Sequence, residues 1–140
     1  MKPRKLPYSK FIESLKLCPR VTIELLLENA GGIFLIKREN YPFAGCWHLP
    51  GGFLLKGELI GDCVLRLCEE ELGIKTKTLE SGFVGLFETI KGDPRGHLLH
   101  YLVRCSGINP QTSEKAKYFL KLPGSIIPYH KKILNELGYK

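Results

Sequence analysis

The sequence predicts an α/β fold, a sandwich in which helices lie against the faces of a mixed sheet. Two observations lead to it. Stretches of strand type dominate the first and middle parts of the chain, while one strong helical pattern lies between them and another sits at each end. At 140 residues, 44% of them apolar, the chain has the length and side chains for one domain with its own core, over residues 1–140.

Taken in order, Phe11, Ile12, Leu15 and Leu17 recur at helical spacing, so Tyr8 to Cys18 is expected as a short amphipathic helix packed on the domain. Val21 to Leu27 and Gly32 to Lys37 are apolar and β-branched, joined by Glu28-Asn29-Ala30-Gly31-Gly32, which is favourable hairpin chemistry. After Gly51-Gly52 a helical pattern runs from Leu59 to Leu72 and stops at Gly73, a residue that tolerates the left-handed helix end. Gly82 to Ile90 and His97 to Cys105 read as strands around a turn-rich Lys91–Gly96. Lys117 to Leu122 follows as a last strand, and Ile126 to Leu137 as a C-terminal helix.

Composition narrows the function. Twenty-one Lys and Arg against 14 Asp and Glu give a formal charge of +7, which favours an anionic ligand and also serves solubility. Five cysteines without a Cys-x-x-Cys pair argue against a disulfide framework and a structural zinc site. No apolar run reaches the ~18 residues of a membrane helix, and Glu13 and Lys16 interrupt what would be the apolar part of a leader. A cytoplasmic protein without a membrane partner is therefore expected.

The central helix carries the candidate chemistry. At ~100° per residue Ile60, Val64, Cys68 and Leu72 form one stripe, and with Ile60 at zero Glu71 falls at about 20° and Glu70 at about 280°. Glu71 is thus expected to point at the protein, where a carboxylate requires a partner or a metal. Arg66, one turn before Glu70, can orient it. The alternative is an ordinary charged helix end with Glu69, Glu70 and Glu71 in water, which the helix dipole disfavours.

Gly52, Glu58, Arg66, Cys68, Glu70, Glu71, Gly73 and Ile74 stand in register with the signature of the Nudix hydrolases, and the chain resembles that family over nearly its whole length. The resemblance implies the Nudix-type α/β/α sandwich and hydrolysis of a nucleoside diphosphate linked to another moiety, assisted by Mg²⁺, with Mn²⁺ able to stand in. It also implies roles. Glu70, Glu71 and the backbone carbonyl of Gly51 would be metal ligands, Arg66 would fix the carboxylates, and Glu58 would brace the loop. Gly51 and Gly52 also read as a plain tight turn. The family's usual glutamate after the arginine is absent, because Leu67 stands there.

The GDP-mannose mannosyl hydrolases resemble this chain in carrying Arg-Leu at these positions. By that likeness Glu24, Arg38 and His100 would contact the substrate, with attack at the sugar carbon. Read alone, these are an edge charge, a surface arginine and a half-buried strand residue. Those enzymes use a histidine base in the loop before the last strand. Ser113–Lys117 has none, so Glu114 is the candidate base, with a solvated loop glutamate as the bland reading. The functional expectation is a nucleotide-sugar hydrolase, with GDP-mannose as the leading example. A pyrophosphohydrolase attacking phosphorus in nucleoside triphosphates, and a catalytically weak nucleotide-binding module, are the alternatives. A small nucleotide is the expected partner rather than nucleic acid, and a homodimer stays open.

Overall fold

The computed structural model describes residues 2–140. Helix α1 (Tyr8–Leu17) leads into β1 (Arg20–Leu26), β2 (Glu28–Asn29), β3 (Gly32–Lys37), β4 (Trp47–His48) and β5 (Gly51–Phe53). Then come α2 (Ile60–Leu72), β6 (Glu80–Thr89), β7 (Leu98–Ser106), β8 (Ala116–Phe119) and α3 (Pro128–Glu136). The expected strands divide into two sheets. One has the order β5-β1-β7-β6, with β1 and β7 parallel and the outer pairings antiparallel. In the other, β3 pairs with β2, β4 and β8, all antiparallel.

The chain passes between the sheets three times, the last time between β7 and β8. The first crossing is at Leu27, buried to 2% exposure, whose carbonyl accepts from Phe34 N at 2.9 Å. The second is at Leu49-Pro50, where Pro50 has no N–H for a ladder but its carbonyl accepts from Leu25 N at 2.7 Å. That second crossing sets Gly51 opposite Glu24 in the β1–β5 pairing.

Side chains alternate along β1, so its two faces serve two cores. Ile23 and Leu25 join Cys63, Val64, Leu67 and Cys68 of α2, with Phe34 and Val103. Leu26 joins Leu35, Leu49, Leu102, Ile133 and Leu134 on the side of α3. Glu24 shares the alternate face with Leu26 and is carried into that side of the sheet.

Two boundaries and the packing of one helix differ from expectation. Pro128 occupies the first turn of α3, so Ile126 and Ile127 approach the helix as buried residues and do not belong to it. Strand β8 stops at Phe119, which pairs with Ile33 at the start of β3, and Leu120 is left 80% exposed. No side chain of α1 is buried, although Phe11 packs edge-on against Phe53 at 5.1 Å. No helix among the described residues is long and apolar enough to cross a membrane.

Candidate active site

Helix α2 is anchored by Cys63, Val64, Leu67 and Cys68 and ends at Gly73, whose φ of 67° is the left-handed conformation glycine adopts without strain. Its buried stripe is rotated from the one expected. Ile60 is 36% exposed, and Leu67 lies at the centre of the packed face. Glu71, expected to point inward, is an exposed residue, because Cys63 and Leu67 fill the inner face and turn it toward the rim. A β-carbon at Gly52 would come within 2.8 Å of Leu67 Cδ2, so the glycine makes room for that leucine.

Arg66 ties this helix to the loop before it. Its Nε donates to Glu58 Oε1 at 2.7 Å, Nη2 to Glu58 Oε2 at 3.1 Å and to the Phe53 carbonyl at 3.0 Å, and Nη1 to Glu70 Oε2 at 3.1 Å. Glu58 Oε2 also accepts from Leu55 N at 3.0 Å. Although burial opposes ionisation, the Arg66 bonds hold the Glu58 carboxyl below its ordinary range. Burial and the Glu58 charge push the Cys63 thiol up to about 12.

Glu70 and Glu71 are less well provided. Glu70 Oε1 meets Lys5 Nζ at 3.1 Å on the solvent side. The Glu71 carboxyl is pushed above its ordinary value by partial burial and by the like charges of Glu70 and Glu24, which outweigh Lys5 and Arg38. A set of carboxylates that repel one another at a cavity rim is the donor chemistry a hard divalent cation takes, so Glu70 and Glu71 fit the expected metal.

The other side of Gly51 is ordered differently. A β-carbon on Gly51 would collide with Glu24 Oε2, so only glycine fits beside this carboxylate. Glu24 is 6% exposed. Its Oε1 lies 3.4 Å from His100 Nδ1 and 3.6 Å from His130 Nε2. Burial alone would raise its pKa, but the two adjoining imidazoles, His130 and His100, bring it far below the ordinary value. His100 is fully buried, with Nδ1 at 2.9 Å from Thr22 Oγ1 and Nε2 at 2.9 Å from Thr89 Oγ1. Tyr129 stacks on its ring at 4.9 Å, and the Tyr129 hydroxyl donates to Asp93 Oδ2 at 2.7 Å.

Glu24, His100 and His130 have ligand atoms within 4.8 Å of one another, a spacing that admits a metal. The hydrogen bonds oppose one. Leu49 N donates to His130 Nδ1 at 3.1 Å, so in the neutral ring the proton sits on Nε2, the atom facing Glu24. His130 Nε2 is buried without a partner inside hydrogen-bond distance and faces the carboxylate from 3.6 Å as a protonated nitrogen, which cannot serve as a ligand.

Two cavities meet at Glu71. The larger, about 800 Å³, runs between α1, β5 and α2 and is also lined by Gly52, Arg66 and Glu70. The smaller, about 380 Å³, is lined by Arg38, Asn40, His48, Gly51 and Lys115. Arg38 Nε donates to the Pro42 carbonyl at 2.7 Å, and burial together with the nearby Arg95 charge lowers its pKa. The structure therefore brings Arg38, Gly51, Gly52, Arg66, Glu70 and Glu71 to the cavities and ties Glu58 to them through Arg66. Glu24 and His100 stand behind Gly51 and line neither cavity, and exposed Glu114 is adjacent to Lys115 but lines neither.

Sequence reasoning missed His48, His130 and Lys5. His48 Nδ1 donates to the Leu49 carbonyl at 2.6 Å, leaving Nε2 as an acceptor. Burial and His130 bring its pKa down to about 4, so the ring is neutral at pH 7. Its position just before Leu-Pro-Gly-Gly was the available signal. Lys5 and His130 become legible only once the N-terminal segment and α3 are folded against the rest of the chain.

Several known proteins are similar to this chain in sequence or fold. An ADP-ribose pyrophosphatase of Methanocaldococcus jannaschii is 40% identical over 85 residues, 61% of this chain and 49% of that protein. A low-salt glycan biosynthesis protein of Haloferax volcanii is 41% identical over 70 residues, 50% of this chain and 44% of that protein. The chain thus spans about half the length of these curated relatives. A MutT NUDIX hydrolase from Burkholderia pseudomallei superposes with a TM-score of 0.69 at 28% identity, covering 86% of this chain and 98% of that one. The NUDIX domain of Shewanella oneidensis NrtR, solved with ADP ribose, shares the fold with a TM-score of 0.63 at 19% identity, over 94% of this chain and 97% of that one. The NUDIX domain profile itself matches residues 18–122, and the chain belongs to the Nudix hydrolase family.

Proposed function

We propose that this protein hydrolyses a nucleoside diphosphate linked to a sugar, with Mg²⁺ or Mn²⁺ held by Glu70, Glu71 and the Gly51 carbonyl. One observation carries the reading. In the cavity shared by Arg38 and Glu71, the guanidinium is disfavoured by burial and Arg95, and the carboxyl by burial, Glu70 and Glu24. A divalent cation carrying a diphosphate satisfies both at once. The metal would polarise a phosphate oxygen and neutralise charge on the leaving group.

The chain's own residues do the rest. Arg66 aims Glu70 through the 3.1 Å bond while its grip on Glu58 keeps the loop fixed. Arg38, with Lys115 on the same wall, binds phosphate oxygens. Glu24, held ionised by His100 and His130, positions the Gly51 turn from behind. Glu114 is proposed as the base that takes a proton from the attacking water, reaching the site by movement of its loop.

Similarity to an ADP-ribose pyrophosphatase supports cleavage of the diphosphate itself. A second reading, attack at the sugar carbon as in GDP-mannose hydrolysis, is favoured by Leu67, which removes one carboxylate from the helix. Incubation of ADP-ribose, GDP-mannose and nucleoside triphosphates with Mg²⁺ in ¹⁸O-labelled water decides between them. Label in a phosphate product, with mononucleotide and sugar phosphate released, is the expected result. Label in free sugar beside a nucleoside diphosphate would move the assignment to the carbon. No turnover of any of these compounds would contradict the proposed hydrolysis.

A further inference from the structure

The larger cavity is walled on one side by residues that precede the matched domain, which begins at residue 18. Arg4, Lys5, Leu6, Tyr8 and Phe11 line it together with Phe53, Leu54 and Lys56. Its volume of about 800 Å³ falls within the ~300–1,000 Å³ of small-molecule sites. Its lining combines aromatic and aliphatic side chains with the cations Arg4, Lys5 and Lys56, and includes Glu70 and Glu71. The smaller cavity, at about 380 Å³, has a polar wall of Asn40, His48, Glu39 and Lys115 and reaches the same Glu71. A ligand whose diphosphate lies at Glu71 therefore has two unlike compartments for its two ends.

We propose that the N-terminal segment, residues 4–11, builds the nucleobase compartment of the substrate site, leaving the smaller polar cavity to the sugar. This rests on the nucleotide-sugar reading above and assigns its two halves. Tyr8 is the stacking surface. It is 78% exposed, lines the cavity and makes no ring contact with another aromatic, whereas Phe11 is already engaged with Phe53. Arg20 lies over both Phe11 and Phe53, at 5.4 and 5.0 Å from the ring centroids, and its guanidinium donates to Ser14, which fixes α1 to β1. A purine meets an aromatic face and a guanidinium plane here, both of which stack on bases. Arg4 and Lys56 add positive charge to the lining, beside the Lys5 that pairs with Glu70. In the small cavity, by contrast, the acceptor Nε2 of His48 and the amide of Asn40 are groups that bind sugar hydroxyls.

The test separates the two ends of the ligand. Binding of AMP and of ribose 5-phosphate is measured by calorimetry with Mg²⁺ for wild type, Tyr8→Ala and Phe11→Leu. Tyr8 is exposed, so its replacement leaves the fold intact, which circular dichroism checks. The expected result is about tenfold weaker AMP binding in Tyr8→Ala, from loss of base stacking, with ribose 5-phosphate unchanged. Steady-state kinetics should show the same change in KM with kcat preserved. AMP bound equally by wild type, Tyr8→Ala and Phe11→Leu would overturn the proposal, as would a selective loss of ribose 5-phosphate. Glu71→Gln is the control for the underlying reading. If its metal-dependent hydrolysis is intact, the active-site assignment fails, and if only the AMP effect is missing, the compartment assignment fails alone.

Discussion

Glu24, from the sheet, abuts Gly51; Glu71, from helix α2, lines the cavity that Gly51 also lines; and their carboxyls are displaced in opposite directions. Glu24, on the sheet side, is buried and has its donors in place, so it stays ionised far into acid. Glu71, on the helix side, is more open, yet burial of its carboxyl and two like-charged neighbours raise its pKa. Burial alone does not decide the state of a carboxylate; the partners do. On the sheet side the two imidazoles stabilise the carboxylate, whereas on the helix side the like charges leave it wanting the cation proposed above.

Removing the helix-side charge should have the largest effect. Glu71→Gln is expected to lower turnover by about 10³-fold or more, since it keeps the shape and removes a ligand. Without metal the variant should melt slightly above wild type, because a repelled charge has gone. Wild-type turnover in a folded variant would break the comparison. Glu114→Gln extends it to a carboxylate outside both cavities, and a loss of about 10²-fold in kcat is expected if that residue is the base. An unchanged kcat would leave His48, the neutral ring on the cavity wall, as the next group to replace.

On the sheet side the expected losses are of stability. The Asp93 side chain is fully buried, and it pairs with Arg95 at 2.7 Å while accepting from Tyr129, the ring stacked on His100. Asp93→Asn should cost about 2–4 kcal/mol, a little under the range for a broken buried pair because Arg95 is partly exposed. Urea denaturation reads that directly. Titration gives the smallest effect. Glu24 and Asp93 are both held below their ordinary values of 4.5 and 3.8, so the stability they contribute is complete above about pH 5. It is lost as pH falls through each folded value. The metal-free melting temperature should therefore fall from pH 5 to pH 3, and a flat profile would show that neither group is held as the geometry requires.

The helix side was largely legible in the sequence. Gly52, Glu58, Arg66, Glu70, Glu71 and Gly73 lie within one loop and one helix, where spacing translates directly into position. The apolar stripe of α2 differs from the expected one only in phase. Ile60 was weighed with the stripe, but at the first helical position it has no turn packed above it, and the core follows Cys63 and Leu67. The sheet side was not legible as a unit. Glu24, His100 and His130 are far apart in the chain and meet only through the parallel β1–β7 pairing and the packing of α3. Strands β4 and β5, of 2 and 3 residues, are too short to leave a periodicity, so the crossing that places Gly51 beside Glu24 left no pattern to read.

The contrast between the two carboxylates is open to direct measurement by NMR titration of ¹³C-labelled glutamate side chains, with and without Mg²⁺. Without metal, Glu71 should titrate above 4.5 and Glu24 should remain ionised through the acid range. With Mg²⁺, the Glu71 midpoint should move below 4.5 while Glu24 hardly changes. A Glu71 midpoint that starts in the ordinary range and does not respond to Mg²⁺ would contradict the placement of the cation on the helix side of Gly51.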